Sequence, residues 1–312
     1  PQLYRKWGKE LSGREANNLR GLYRFHWLRN QLLARAAGEV LDALQQSFIP
    51  VILLKGLALA HTSYADIGCR PMQDFDLLIH PQDRARAVDV LQNNGWCAAT
   101  GLPEIGVRHA CEFKNKRDQR LDLHWYASGD CCWPGADDNF WSRCVPLQIG
   151  NVITHTLSPA DTLLHVCLHG ARGGANRIGW AADALSLLAL PLDFSYFVQE
   201  CKERRVSCLL AATLEHLSAN SLAQLPPTLL PELCSVPTSW TDRVLLECKK
   251  RGGQGWAFWV EPLVEYYTRK RPTSLRGFLS FLRWRWQIPP LRFLPIRMAK
   301  GVSRRLFVNQ QR

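Results

Sequence analysis

The chain has no Cys-x-x-Cys pair, although it carries eleven cysteines in 312 residues. Their number is odd, their spacing irregular, and Cys131 and Cys132 are adjacent, so neither a disulfide framework nor a zinc knuckle is indicated. Reduced thiols in a cytosolic compartment are expected. No stretch reaches the roughly 18 apolar residues of a membrane span, and the opening PQLYRKWGKELSGRE lacks the apolar core of a signal peptide. A cytoplasmic protein is therefore expected. Internal repeats and low-complexity linkers are missing, so a repeat architecture is not indicated. Acidic charge is missing from one end: residues 266–312 hold twelve Lys or Arg and no Asp or Glu. The net charge of +12 resides there, and before it the two signs balance.

What is present is enough to fold. With 46% apolar residues the chain can bury an ordinary core, and its length suits two domains or one with an appendage. Residues 14–47 carry Leu22, Phe25, Leu32, Leu33, Ala36, Val40 and Leu44 at helical spacing, which predicts one long helix or two shorter ones. VILLKG (51–56) reads as a short strand closed by a Lys-Gly turn, and LALAHTSY after it as a helix. FDLLIH is the next strand, and PQDRARAVDVLQNNGW a helix with Pro81 in its opening turn and Asn94-Gly95 at its end. HACEFKN and RLDLHWY read as an antiparallel hairpin. After about residue 156 helices alone are expected. The first of them opens on a capping box of Ser158, Pro159 and Asp161 and is closed by Gly170.

One segment does not fit a purely structural strand. In RPMQDFDLLIH (70–80) Asp74 and Asp76 stand two residues apart at the entrance of an apolar run. Residues i and i+2 of an extended chain share a face, so both carboxylates aim into one place. Two such charges repel unless a cation lies between them, and hard oxygen donors suit Mg²⁺, which also binds phosphates. RLDLHW offers a third carboxylate, Asp122, with Leu121 and Leu123 on the opposite side. The other reading of the pair is a solvated strand end.

The order of these motifs (LLKG, then RPMQDFDLLI, then a helix, then LDLHW) resembles the core of the polymerase-β-like nucleotidyltransferase superfamily. It is most similar to an uncharacterised bacterial nucleotidyltransferase family marked by K-G, R-x-x-x-D-x-D-L-L and L-D-L-H-W. The helical block LLHVCLHGARGG…GWAADALSLL (163–188) also resembles that family, so the likeness spans residues 50–190. It implies an α/β (α+β) fold: a small mixed β-sheet flanked by helices, with an α-helical C-terminal domain. The implied division is a helical segment at 1–48, the nucleotidyltransferase-like core at 49–156, a helical domain at 157–265 and a basic, aromatic-rich tail at 266–312. It also implies that Asp74, Asp76 and Asp122 are catalytic and hold two Mg²⁺ ions, with Asp122 as a general base. Lys55 and Gly56 would contact the nucleotide phosphates. Beside the resemblance, Arg70 is expected either to neutralise Asp74 or to contact a triphosphate, and His124, two residues after Asp122 and so on the same strand face, to contact the nucleotide. The usual Gly-Gly or Gly-Ser turn is replaced here by Lys-Gly, farther from the acidic pair.

The implied reaction transfers a nucleotide monophosphate from an NTP to a hydroxyl of a non-polymeric acceptor: a small molecule, sugar, peptide or protein. Two alternatives stand beside it. One is a non-catalytic scaffold on the same fold; the other is a D-x-D nucleotide-sugar glycosyltransferase, where the acidic pair usually ends a strand. His165 and His169 lie four apart on one helix, but without the Glu of H-E-x-x-H a structural or substrate-contacting role is expected, with Asp183 as a partner. ARGGAN (171–176) is either a phosphate-contacting loop around Arg172 or a helix-linking turn. The tail's mixture of Arg with Phe, Trp and Leu fits peripheral contact with an anionic membrane at the inner membrane face, more than nucleic-acid binding or a plain amphipathic cover.

Overall fold

The computed structural model describes residues 1–286 apart from 9, 11, 100, 101, 103, 104, 106, 174–178, 221, 253 and 269–274. Its strands are β1 (Ile52–Leu54), β2 (Asp74–Leu78), β3 (Cys97–Ala98), β4 (Ala110–Lys114), β5 (Arg120–His124), β6 (Val145–Ile149) and β7 (Val152–Thr156). The helices preceding and flanking them are α1 (Gln2–Trp7), α2 (Gly13–Gln46), α3 (Lys55–Thr62), α4 (Arg84–Asn93) and α5 (Asp138–Ser142). After the last strand come α6 (Pro159–Gly173), α7 (Gly179–Leu188), α8 (Phe194–Glu203), α9 (Ser207–Ala219), α10 (Leu229–Ser235), α11 (Trp240–Lys250), α12 (Ala257–Thr268) and α13 (Leu275–Arg285).

Among the described residues the strands form one mixed sheet in the order β3-β4-β5-β2-β1-β7-β6. β2 lies parallel to β5 and antiparallel to β1, and β1 is parallel to β7. Side-chain alternation gives this sheet two apolar faces. On one, Leu53, Phe75, Leu77, Phe113, Leu121 and Leu123 pack with Leu33, Val40, Leu41 and Leu44 of α2 and with Val88 and Leu91 of α4. On the other, Ile52, Leu54 and Leu78 join Leu163, Leu164 and Cys167 of α6, Leu187 of α7 and Phe197 of α8. The later helices thus share a core with the sheet. Asp76 lies between Phe75 and Leu77 and so belongs to this second face. Helices α6 and α7 cover its apolar part and leave the acidic end of β2 open as a cleft.

The expected α/β region followed by helices is what the chain adopts, with several differences. β6 and β7 are a hairpin that the sequence reading did not foresee. Their outward positions lack a clean apolar alternation, but Gly150-Asn151 joins them as a two-residue turn, with Gly150 at φ +59°, and that dipeptide is the available signal. Lys55-Gly56 is not a turn: α3 starts at Lys55 directly after β1, and Lys55 takes φ +41° to make the corner. Gly170 does not end α6, which runs on to Gly173. A β-carbon on Gly170 would run into the Trp180 ring, so its role is to let α7 pack closely. Residues 13–46 form a single helix. Leu22, Phe25 and Leu32 on it are exposed, because the stripe that meets the sheet is Leu33, Ala37, Val40, Leu41 and Leu44.

Of the tail, α13 packs through Phe281 and Leu282 with Tyr266 of α12 and Val107. Residues 287–312 lie outside the described residues, as do 174–176 of the ARGGAN segment.

Candidate active-site cleft

Asp76 and Asp122 are direct partners in the parallel register of β2 and β5, and Leu54 is the partner of Asp76 on its other side. The residue after Leu54 is Lys55, whose left-handed backbone turns the side chain toward the carboxylates: its Nζ lies 2.8 Å from Asp76 Oδ1. His124, two residues after Asp122 and on the same face, places Nε2 3.1 Å from the same oxygen. Donor atoms of Asp76, Asp122 and His124 all fall within 4.8 Å of one another. Asp74 is outside this tightest group, but it lines the same cleft of about 890 Å³ together with Lys55, Gly56, Arg70 and Asp122.

The carboxylates are electrostatically unlike. Burial opposes ionisation of Asp76, but the Lys55 ammonium and the His124 hydrogen bond outweigh it and hold this carboxyl far below its ordinary range. Asp74 is pushed up to about 6, by burial and then by the charges of Asp76 and Asp122. Asp122 is raised by the same causes, burial first and then Asp76. One carboxylate is thus neutralised internally, while two lack sufficient positive charge. A cation between them would lower their cost.

Arg70 lines the cleft and is anchored on α7. Its Nε and Nη2 donate to the two oxygens of Asp183 at 2.8 and 2.7 Å, and Tyr64 donates to the same carboxylate at 2.6 Å. This fork ties the segment before β2 to α7 across the cleft. Arg70 Nη1 lies 3.1 Å from where a β-carbon on Gly56 would be, so Gly56 leaves room for the guanidinium at the cleft wall. Asn30, fully buried on α2, donates to the carbonyls of Ile67 and Arg70 at 2.6 and 2.7 Å. Sequence reasoning missed Tyr64 and Asn30 altogether. The Asp183 it assigned to a histidine belongs to Arg70, a pairing over 113 positions that no local pattern announces.

His165 is structural, as expected: its Nε2 donates to the Ala127 carbonyl at 2.9 Å. Burial first, and then the charge of Lys55, hold its pKa well below the ordinary value, so the ring is neutral. His169 lines the cleft beside Trp180, and the side chain of Arg172 is outside the described residues.

The residues fit a divalent cation on three observations. Asp74 and Asp122 are short of counter-charge, the Asp76, Asp122 and His124 donors converge, and His124 Nδ1 is buried without a hydrogen-bond partner. Oxygen donors dominate the set, as hard cations require.

Residues 5–220 match a family described as uncharacterised nucleotidyltransferase. No curated protein matches the chain. Among solved structures, the antibiotic-resistance factor ANT(2'')-Ia is similar at 13% identity with a TM-score of 0.41, over 62% of this chain and 96% of that one. The lincosamide antibiotic adenylyltransferase LnuA, in a lincomycin-bound crystal structure, gives 16% and 0.36 over 49% and 94%. An antigenic nucleotidyltransferase-like protein from Paracoccidioides brasiliensis gives 17% and 0.42 over 66% and 94%.

Proposed function

From the premise that the chain belongs to this nucleotidyltransferase family, we propose that the cleft transfers a nucleotide monophosphate from an NTP to the hydroxyl of a non-polymeric acceptor, with Mg²⁺ as cofactor. The observation that carries this is the in-register Asp76–Asp122 pair, with Asp74 and Lys55 beside it in one cleft. Asp74, Asp76 and Asp122 would hold the metal, two ions being the proposed count. When bound, the ions supply Lewis-acid stabilisation of the phosphoryl oxygens.

The chain's own residues perform the rest. The acceptor oxygen attacks the α-phosphorus, the bond from that phosphorus to the α,β-bridging oxygen breaks, and pyrophosphate leaves with its electron pair. Asp122, in register beside Asp76 and lining the cleft, takes the hydroxyl proton. Lys55 sits at the opening turn of α3, where its ammonium and the helix N-terminus together favour phosphate charge. Arg70, held flat by Asp183, keeps the wall of the cleft fixed and presents Nη1 toward Gly56. Tyr64 and Trp180 line the side of the cleft away from the carboxylates' own strand and offer apolar surface to an acceptor. The division at residues 48, 156 and 265, and contact of residues 266–312 with an anionic membrane, belong to the same reading.

The Lys55–Asp76 ion pair also suits a second reading, a non-catalytic binding protein in which an internal cation stands in for the metal. Calorimetric titration with non-hydrolysable ATP, GTP, CTP and UTP analogues in Mg²⁺ separates the two. Mg²⁺-dependent binding that is lost in Asp74→Ala/Asp76→Ala supports transfer and identifies the nucleotide; absence of binding by the wild-type protein to all four supports the non-catalytic reading.

A further inference from the structure

A second cleft, of about 660 Å³, lies among the start of α9, the start of α11 and the loop holding Asp130 and Trp133. It shares no lining residue with the carboxylate cleft. Helix α9 begins there with Val206 at its N-cap and no capping side chain. The amides of Ser207, Cys208 and Leu209 therefore have no acceptor within the helix, and the positive end of the helix dipole faces the cleft. The Ser207 side chain is only 3% exposed and its hydroxyl has no hydrogen-bond partner. Arg204, equally buried, uses Nε on Glu200 and Nη1 on Asp137, which leaves Nη2 without a partner.

The remaining charges favour the same sign of ligand. Lys202 and Arg205 line the cleft and are exposed. The acidic lining residues are already engaged: Asp130 with Lys249 at 3.1 Å, and Asp242 with Ser239 in the capping box of α11. Arg205 is also held at φ +55°, at the left-handed position after α8 where glycine is usual.

We propose that this cleft binds a phosphate-bearing small molecule. The free amides of α9 and the Ser207 hydroxyl donate to the phosphate oxygens, and Lys202 and Arg205 balance the charge. The volume exceeds that of a phosphate ion, so an organic group on the phosphate has space among Leu209, Val236 and Leu245. The inference is independent of the nucleotidyl-transfer reading.

Cys208, half-buried in the lining, supplies the readout. The full chain, without divalent metal, is treated with N-ethylmaleimide while inorganic phosphate is raised at constant ionic strength, and modified peptides are mapped by mass spectrometry. Saturable protection of Cys208 is expected, with the exposed Cys97 unaffected. Lys202→Ala/Arg205→Ala should need about ten-fold more phosphate, the equivalent of about 1.4 kcal/mol. Asp74→Asn in the other cleft should leave the protection unchanged. No protection by phosphate up to about 50 mM, well above a weak millimolar affinity, overturns the proposal, as does equal protection in the double variant or by chloride alone. If Cys208 resists alkylation, the amide resonances of Ser207, Cys208 and Leu209 report the same titration: saturating shifts support the site, and their absence overturns it.

Discussion

Asp76 and Asp122 face each other across adjacent parallel strands, and only Asp76 carries an internal cation, the Lys55 ammonium at 2.8 Å. In the proposed reaction this asymmetry would keep Asp76 ionised and leave Asp122 to accept the proton.

Asp76→Asn removes the carboxylate that binds Lys55 and would bind metal. Nucleotidyl transfer, followed by pyrophosphate release, should fall at least about 100-fold, since several kcal/mol of charge stabilisation are lost. Lys55 then keeps only a neutral acceptor, and urea unfolding should show a loss of roughly 1–3 kcal/mol.

Asp74 gives stability a pH dependence of definite sign. Its folded-state pKa, pushed up to about 6 from the ordinary 3.8, means that the folded chain binds this proton more tightly than the unfolded chain. The group costs nothing below about pH 4, and its penalty grows between pH 4 and 6 and is complete above. In metal-free protein Asp74→Asn should therefore stabilise at pH 7 by roughly 1–2 kcal/mol, allowing for solvent screening at this half-buried position. Little change is expected at pH 4. Urea melts at the two pH values in the presence of a chelator measure the difference.

Gly170→Ala drives a methyl group into the Trp180 ring. Either α7 shifts or the indole leaves its rotamer, and overpacking of this kind costs roughly 1–3 kcal/mol. Because Trp180 lines the carboxylate cleft, KM for the acceptor should change along with the melting temperature, whereas nucleotide binding should change less.

Arg70→Lys keeps the charge and loses the two-pronged contact with Asp183. Lysine offers one point of contact where the guanidinium makes two parallel bonds, so destabilisation of roughly 1–3 kcal/mol is expected. Asp183→Asn should lose a comparable amount, and the double variant less than the sum of the two, because the residues form one unit. A double-mutant cycle of thermal melts checks this.

What could be read from the sequence depended on how local the cause was. The Asp74/Asp76 pair, the hairpin carrying Asp122 and the capping of α6 by Ser158 and Asp161 are set within a few residues of one another, and each lies where the pattern placed it. His124 was placed on the face of Asp122 by alternation alone, and it is there. The parallel pairing of β2 with β5 joins segments 46 residues apart, and periodicity carries no information about such a partner. Asn30 is a case of the same kind. It looks like any polar residue of a long helix, and only packing shows that its amide binds two carbonyls of the segment leading to β2. Lys55 misled in another way, because a Lys-Gly pair after a strand reads as a turn, whereas a single left-handed residue lets α3 begin at once.

The order of the strands has one further consequence, for self-association. Among the described residues the sheet ends in β3, two residues long, on one side and in β6, which contains Pro146, on the other. A very short edge and an edge deprived of a backbone donor are poor templates for another chain's strand. As the chain leaves the ribosome at high local concentration, its exposed strand edges therefore offer little to neighbouring copies, and the sheet can complete itself without recruiting them.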